Sequence, residues 1–160
     1  NIMIKTAVFP GSFAPFTIGH KSIVDRMLPL FDKIIIAIGN NSLKNDSYSI
    51  NKKINWIKKI YLNQSQIEVI SYEGLTIELC NKKEADYIIR GIRDERDFKF
   101  EQKISQNNKE LAPKIETLLI SSLPIYSHIS SSIVRDIINH KGDISKLVPN
   151  PLELYKSFDL

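Results

Sequence analysis

Four stretches of this 160-residue sequence carry side chains suited to gripping phosphate. The first is GSFAPFTIGHKS, Gly11 to Ser22, set between the short apolar run KTAVFP and the apolar-periodic run IVDRMLPLF. A strand-to-helix turn in that position is a common phosphate site. It is not a Walker loop, because His20 separates Gly19 from Lys21-Ser22 and Ala14 stands where the first glycine would be. Nor is it the dinucleotide pattern G-x-G-x-x-G. What remains is Gly11-Ser12 after a strand and Thr17-x-Gly19-His20 at a helix start, whose free N–H groups and dipole attract an anion. The second stretch, Arg90-Gly91-Ile92-Arg93, can aim two guanidinium groups at polyphosphate. The third, Ile129 to Arg135, places Ser130, Ser131 and Ser132 before a second helical run. The fourth, NNSLK, contributes the cation Lys44.

Each feature has a plainer explanation when taken alone. A histidine at a helix start is commonly a cap or surface residue. The arginines have Asp94, Glu95 and Asp97 close enough to pair with, the serines could simply be an N-cap, and Lys44 is one lysine among many. Taken together they make a site for several phosphates. No serine–histidine–acid or cysteine–histidine nucleophile stands out, and no paired carboxylates or metal-ligand cluster. The chemistry expected is therefore phosphorus-group transfer by positioning and charge stabilisation rather than covalent catalysis.

The positions of these residues follow from the elements that must hold them. Strand-like runs occur at Lys5 to Phe9, Lys33 to Gly39, QIEVIS, Ala85 to Arg90 and Ile115 to Ser121. The run KIIIAIG is continuously apolar, as in a strand buried on both faces. Helical patterns alternate with them. They span about Lys21 to Phe31, Ile50 to Tyr61 with Ser49 as N-cap, Leu75 to Lys82, and Asp97 to Glu110 with Phe100 and Ile104 inward. Two more run from Ser130 to His140, closed by Gly142, and from Leu152 to Phe158. Alternation of this kind predicts an α/β fold: a Rossmann-like, doubly wound, parallel five-stranded sheet with helices on both faces, in one domain over residues 1–160. Ligands bind such sheets beyond the carboxyl ends of the strands, where all four stretches fall.

Composition sets outer bounds. At 42% hydrophobic the chain can bury a core without staples, and one cysteine excludes an intrachain disulfide. Apolar runs are too short to cross a membrane, and no secretion signal opens the sequence, so a cytoplasmic location is expected. The net charge of +4 is spread along the chain without aromatic-basic interleaving, which argues against nucleic acid as the partner.

GSFAPFTIGH resembles the first motif of the T/H-x-G-H nucleotidyltransferase superfamily. RGIRDERDFKFE and YSHISSSIVR look like the later motifs of the bacterial-type phosphopantetheine adenylyltransferases, in family order over nearly the whole chain. The resemblance implies a magnesium-dependent reaction of ATP with 4′-phosphopantetheine, giving dephospho-coenzyme A and pyrophosphate late in coenzyme A synthesis. It also implies coenzyme A feedback as an open possibility and a homohexameric assembly. By matching positions, it implies His20 as the catalytic charge stabiliser. Ser12, Lys44, Thr76 and Arg90 would bind 4′-phosphopantetheine. Ser12, Phe13, His20, Gly91, Ile92, Arg93, Glu101 and the run Tyr126, Ser127, His128, Ile129, Ser130, Ser131 and Ser132 would bind ATP. Four residues depart from the family pattern: Ala14 for Asp, Ile18 for Asn, Asn45 for a second lysine and Thr76 for an apolar residue. None replaces Ser12, His20, Lys44, Arg90 or Arg93, so an active enzyme is expected. The rival readings are a non-catalytic nucleotide or coenzyme A sensor and a sister adenylyltransferase acting on another phosphate acceptor.

Overall fold

A computed structural model describes residues 3–40 and 48–160. Five parallel strands, β1 (Thr6–Gly11), β2 (Lys33–Gly39), β3 (Ile67–Tyr72), β4 (Tyr87–Ile92) and β5 (Glu116–Ser121), form one sheet in the order β3-β2-β1-β4-β5. The helices are α1 (Ile18–Met27), α2 (Ile50–Ile60), α3 (Thr76–Lys82), α4 (Glu95–Leu111), α5 (Ser131–Asn139) and α6 (Pro151–Phe158). The chain winds outward from β1 to β3, then returns across the sheet to lay β4 on the other side of β1. Between β1 and β4 the winding direction reverses, and a crevice opens there in folds of this kind.

Strand alternation divides the core into two layers. Ala7, Phe9, Ile34, Ile36, Ile38 and Ile89 pack with Ile23, Val24, Trp56, Ile57, Val134 and Leu154 from α1, α2, α5 and α6. Val8, Ile35, Ala37 and Ile88 pack on the opposite face with Ile77, Leu79 and Cys80 of α3. Helices therefore cover both faces, and the doubly wound arrangement expected from the sequence is present. Among the described residues no helix is long and apolar enough to cross a membrane.

Three local expectations change. Helix α1 starts at Ile18, ahead of the predicted start near Lys21, because Thr17 caps it with His20 as reciprocal partner. Helix α5 does close near Gly142, but Lys141 is the residue that takes the left-handed conformation, at φ 59°. The amide of Lys141 donates to the Ile138 carbonyl and that of Gly142 to the Ile137 carbonyl, a Schellman closure. Gly142 is required for space, since a Cβ there would stand 2.6 Å from Ile137 Cγ2.

Helix α4 differs most. Phe100 and Ile104 were expected inward, yet they are 63% and 37% exposed. The residue of α4 that is buried is Glu101, drawn in by an arginine on β4. That pairing fixes the rotation of the helix, so Phe98, Phe100 and Leu111 face outward.

Candidate active site

The strands β1 and β4 part at their carboxyl ends. Their ladder is limited to Ala7↔Tyr87 and Val8↔Ile88, whereas β1 and β2 stay paired out to Gly11↔Ile38. Arg90, in the second half of β4, spans the opening, its Nη1 donating to the Pro10 carbonyl at 2.6 Å. Its other edge forms a fork with Glu101: Nε to Oε2 at 2.9 Å and Nη2 to Oε1 at 2.6 Å. A fork of this geometry fixes the guanidinium plane while leaving further N–H groups for a ligand. Glu101 is 6% exposed, and both its carboxylate oxygens serve Arg90.

Beyond β1 the backbone turns sharply at Phe13, which has φ 46°. The turn carries the Phe13 ring inward against Phe9 and Phe16. His20 lies among these three rings, with centroids 5.1 Å from Phe13, 5.4 Å from Phe16 and 6.2 Å from Phe9. The backbone N–H of Thr17 donates to Nδ1 of His20 at 2.8 Å, and the His20 N–H donates to Thr17 Oγ1 at 3.3 Å. An imidazole that accepts at Nδ1 carries its proton on Nε2. Burial, with the nearby charges of Arg90 and then Arg93, lowers the His20 pKa to about 3. The side chain is thus a neutral imidazole held as an Nε2–H donor at the mouth of the crevice.

Arg93 lies beyond the end of β4 and is held by Asp97, with Nε to Oδ2 at 3.0 Å and the Arg93 backbone N–H to the same oxygen at 3.0 Å. Burial works against the charge on Asp97. The hydrogen bonds from Arg93 and the charges of Arg93 and Arg90 outweigh it and hold the carboxyl below its usual range. Between the two arginines, Gly91 leaves room for α1: a Cβ there would collide with Ile23 Cδ1. The N-terminus of α5 closes the far wall. Ser130 caps it by accepting from the Ile133 N–H at 3.2 Å, and Ser131 Oγ donates to the Pro15 carbonyl at 2.8 Å.

These parts enclose a cavity of about 330 Å³ lined by, among others, Ser12, Phe13, His20, Arg90, Gly91 and Arg93. Glu101, Tyr126 and Ile129 to Ser132 complete the predicted residues around it. Ser127 and His128 are exposed and do not line it, and Ile92 ends β4 outside it. A second cavity of about 540 Å³ adjoins the first, sharing Pro10, Gly11, Ser12, Arg90 and Glu101, and running on past Tyr72, Thr76, Ile88, Ile104 and Asn108. Thr76 is in this second cavity alone. Lys44 and Asn45 lie outside the described residues.

Two cations at the site were not singled out from the sequence. Arg135 reaches back from α5, with Nη1 donating to the Ala14 carbonyl at 2.8 Å and Nη2 to Ser132 Oγ at 3.3 Å. The three-residue offset from Ser132 to Arg135 was the available signal, since it puts both on one helix face. Lys53 is 3% exposed, and its Nζ donates to the Ser12 carbonyl at 3.0 Å. Its signal was a lysine on the apolar stripe Ile50, Ile54, Ile57. The departures Ala14 and Ile18 serve this scaffold through the backbone. Ala14 is buried and offers its carbonyl to Arg135, while the Ile18 N–H donates to the Leu147 carbonyl at 2.9 Å.

Neutral donor, arginines and helix N-terminus converge on one volume, an arrangement suited to stabilising charge on a chain of phosphates. Among the described residues no cluster of three or more His, Cys, Asp or Glu could hold a metal.

Known proteins place this arrangement. Residues 8–137 match the cytidylyltransferase-like family. A phosphopantetheine adenylyltransferase from Flavobacterium psychrophilum is 48% identical over 94% of this chain and 99% of its own length. One from Bacteroides thetaiotaomicron is 42% identical over 94% of this chain and 99% of its own. In fold, the chain matches the crystal structure of a nicotinate-nucleotide adenylyltransferase candidate from Vibrio parahaemolyticus. The TM-score is 0.70 at 23% identity, over 94% of this chain and 97% of that one. On this evidence the chain belongs to the cytidylyltransferase-like nucleotidyltransferases and, within them, to the phosphopantetheine adenylyltransferase family.

Proposed function

We propose that the protein transfers the adenylyl group of ATP to 4′-phosphopantetheine, releasing pyrophosphate and forming dephospho-coenzyme A. The observation that carries this reading is the pair of adjoining cavities at the β1–β4 opening, joined at Ser12, Arg90 and Glu101. One cavity is built for polyphosphate. The other extends from the same arginine along walls whose two charged residues, Arg90 and Glu101, neutralise each other. Its remaining polar lining consists of hydroxyls and amides, which suits an acceptor with a phosphate at one end and a long neutral arm.

In this reading an oxygen of the acceptor phosphate attacks the α-phosphorus in line. A new P–O bond forms as the bond to the bridging oxygen of the leaving pyrophosphate breaks. Arg90 orients the attacking phosphate at the junction of the cavities, with Lys44 as its expected partner. The Nε2–H of His20 donates to a non-bridging α-oxygen as charge grows there; the low pKa keeps the ring neutral at pH 7, and the Thr17 N–H on Nδ1 keeps its single proton on Nε2. Arg93, with Ser130 to Ser132 at the start of α5, holds the β- and γ-phosphates. The carboxylates near the site, Glu101 and Asp97, are committed to arginines. They provide no ready cage for a metal, so magnesium is read as arriving on the ATP phosphates, as part of the substrate.

The same reading places the enzyme in the cytoplasm as a homohexamer. The outward Phe98, Phe100 and Leu111 of α4 support an assembly that covers them. Coenzyme A, which contains the acceptor's arm, would compete for the second cavity.

The test is pyrophosphate release from ATP and magnesium with either 4′-phosphopantetheine or nicotinate mononucleotide as acceptor. Release with the first alone is expected. Release with the second alone would assign a sister reaction, and tight ATP binding without release in either case would make the protein a sensor.

A further inference from the structure

The second cavity carries a device that the phosphate chemistry does not use. Tyr72 ends β3 opposite Gly39, and its ring lies over that glycine, with Oη 3.8 Å from where a Cβ on residue 39 would sit. From there Tyr72 Oη meets Thr76 Oγ1 at 2.8 Å. Thr76 is the first residue of α3, whose N-cap, Leu75, makes no side-chain capping bond. The Thr76 hydroxyl is thus paired with Tyr72 instead of closing the helix. The turn between the two is pinned on its other side: the Asn40 N–H donates to the Tyr72 carbonyl at 2.8 Å, and Asn40 Nδ2 donates to Glu73 Oε1 at 3.0 Å. Both residues line the cavity.

Two hydroxyls bonded to each other use one O–H and leave one. Whichever oxygen donates, the pair presents a single O–H donor and spare acceptor capacity to the cavity. An amide, with one strong acceptor and one donor, is the neutral group that satisfies it best.

We propose that Tyr72 is a positioning residue that, through Thr76, sets a hydroxyl donor against an amide in the arm of the phosphorylated acceptor. The inference rests on the adenylyl-transfer reading and deepens it: the device selects acceptors by an amide some way from the reacting phosphate. It touches neither ATP nor the reacting atoms, so its loss weakens acceptor binding while leaving the chemical step alone.

The experiment is steady-state pyrophosphate release by the full chain with 4′-phosphopantetheine, comparing wild type, Tyr72→Phe, Thr76→Val and the double variant. Each single change is expected to raise KM for 4′-phosphopantetheine by about three- to tenfold, the usual weight of one hydrogen bond. The kcat and the KM for ATP should hold. The double variant is expected to be no worse than the poorer single one, because both remove the same contact. An unchanged acceptor KM in Tyr72→Phe would overturn the proposal. So would a fall in kcat together with a rise in the KM for ATP, or additive effects in the double variant. A wild-type protein that releases no pyrophosphate with this acceptor would instead remove the adenylyl-transfer reading itself, a separate result.

Discussion

Replacing His20 by Asn should make the fold less sensitive to acid, and the size of the effect follows from the ring's surroundings. In the folded protein the imidazole stays neutral down to about pH 3, because three aromatic rings bury it and Arg90 and Arg93 repel a proton. In the unfolded chain it takes up a proton near its ordinary pKa of 6.5. Between these values the unfolded state holds the extra proton, so acid favours unfolding. The stability that the neutral ring secures is complete above pH 6.5 and drains away as pH falls toward 3, by about 1.4 kcal/mol per pH unit. From pH 7 to pH 5 that amounts to about 2 kcal/mol. Asparagine retains an acceptor for the Thr17 N–H but has no proton to bind. Urea denaturation of both proteins at the two pH values reads the effect directly. The wild type should lose about 2 kcal/mol more than His20→Asn on acidification, with contributions from other groups cancelling in the difference. Equal losses would refute the buried neutral imidazole, as would an NMR titration of His20 with a midpoint between pH 6 and 7.

Other parts of the account can be tested as directly. Glu101→Gln removes the charged half of the fork on Arg90 and should cost about 1–3 kcal/mol in urea denaturation, together with a raised KM for the acceptor. Gly91→Ala drives a methyl into the buried Ile23 side chain of α1 and should lower stability by about 1–3 kcal/mol, measured by thermal unfolding. Phe100→Glu charges the outward face of α4 and, on the proposed homohexamer, should shift sedimentation velocity to smaller species than the wild type; an unchanged profile, or a monomeric wild type, would contradict an interface at this face.

The parts of the structure most legible in the sequence were those fixed by local chemistry. KIIIAIG forms β2 over Lys33–Gly39 as its unbroken apolar run required, and Ser49 caps α2 by accepting from the Lys52 N–H. Three of the four phosphate-suited stretches, at Gly11 to Ser22, Arg90 to Arg93 and Ile129 to Arg135, line one cavity because alternation of strand and helix leaves their residues little choice of edge; Lys44 of the fourth lies outside the described residues. What stayed hidden depended on long-range partners. The apolar periodicity of α4 pointed Phe100 and Ile104 inward, but Glu101 turns in to meet Arg90, which no local pattern records; Phe100 is left outward, and Ile104, one turn on from Glu101, lines the second cavity. Histidine as the third residue of a capping box went unread because Glu or Gln usually fills that place. Lys53 and Arg135 reach the site through the backbone carbonyls of Ser12 and Ala14, so their signals, a lysine on an apolar stripe and an arginine three residues after Ser132, mark the residues without naming their partners.

The central claim is that a neutral His20, donating from Nε2, drives adenylyl transfer to 4′-phosphopantetheine in this chain. Turnover of wild type and His20→Ala, measured side by side at saturating ATP, magnesium and 4′-phosphopantetheine, tests it most directly. The account predicts pyrophosphate and dephospho-coenzyme A from the wild type, and a kcat lower by roughly two to three orders of magnitude in the variant. A variant that keeps the wild-type rate, or a wild type that yields neither product, would contradict it.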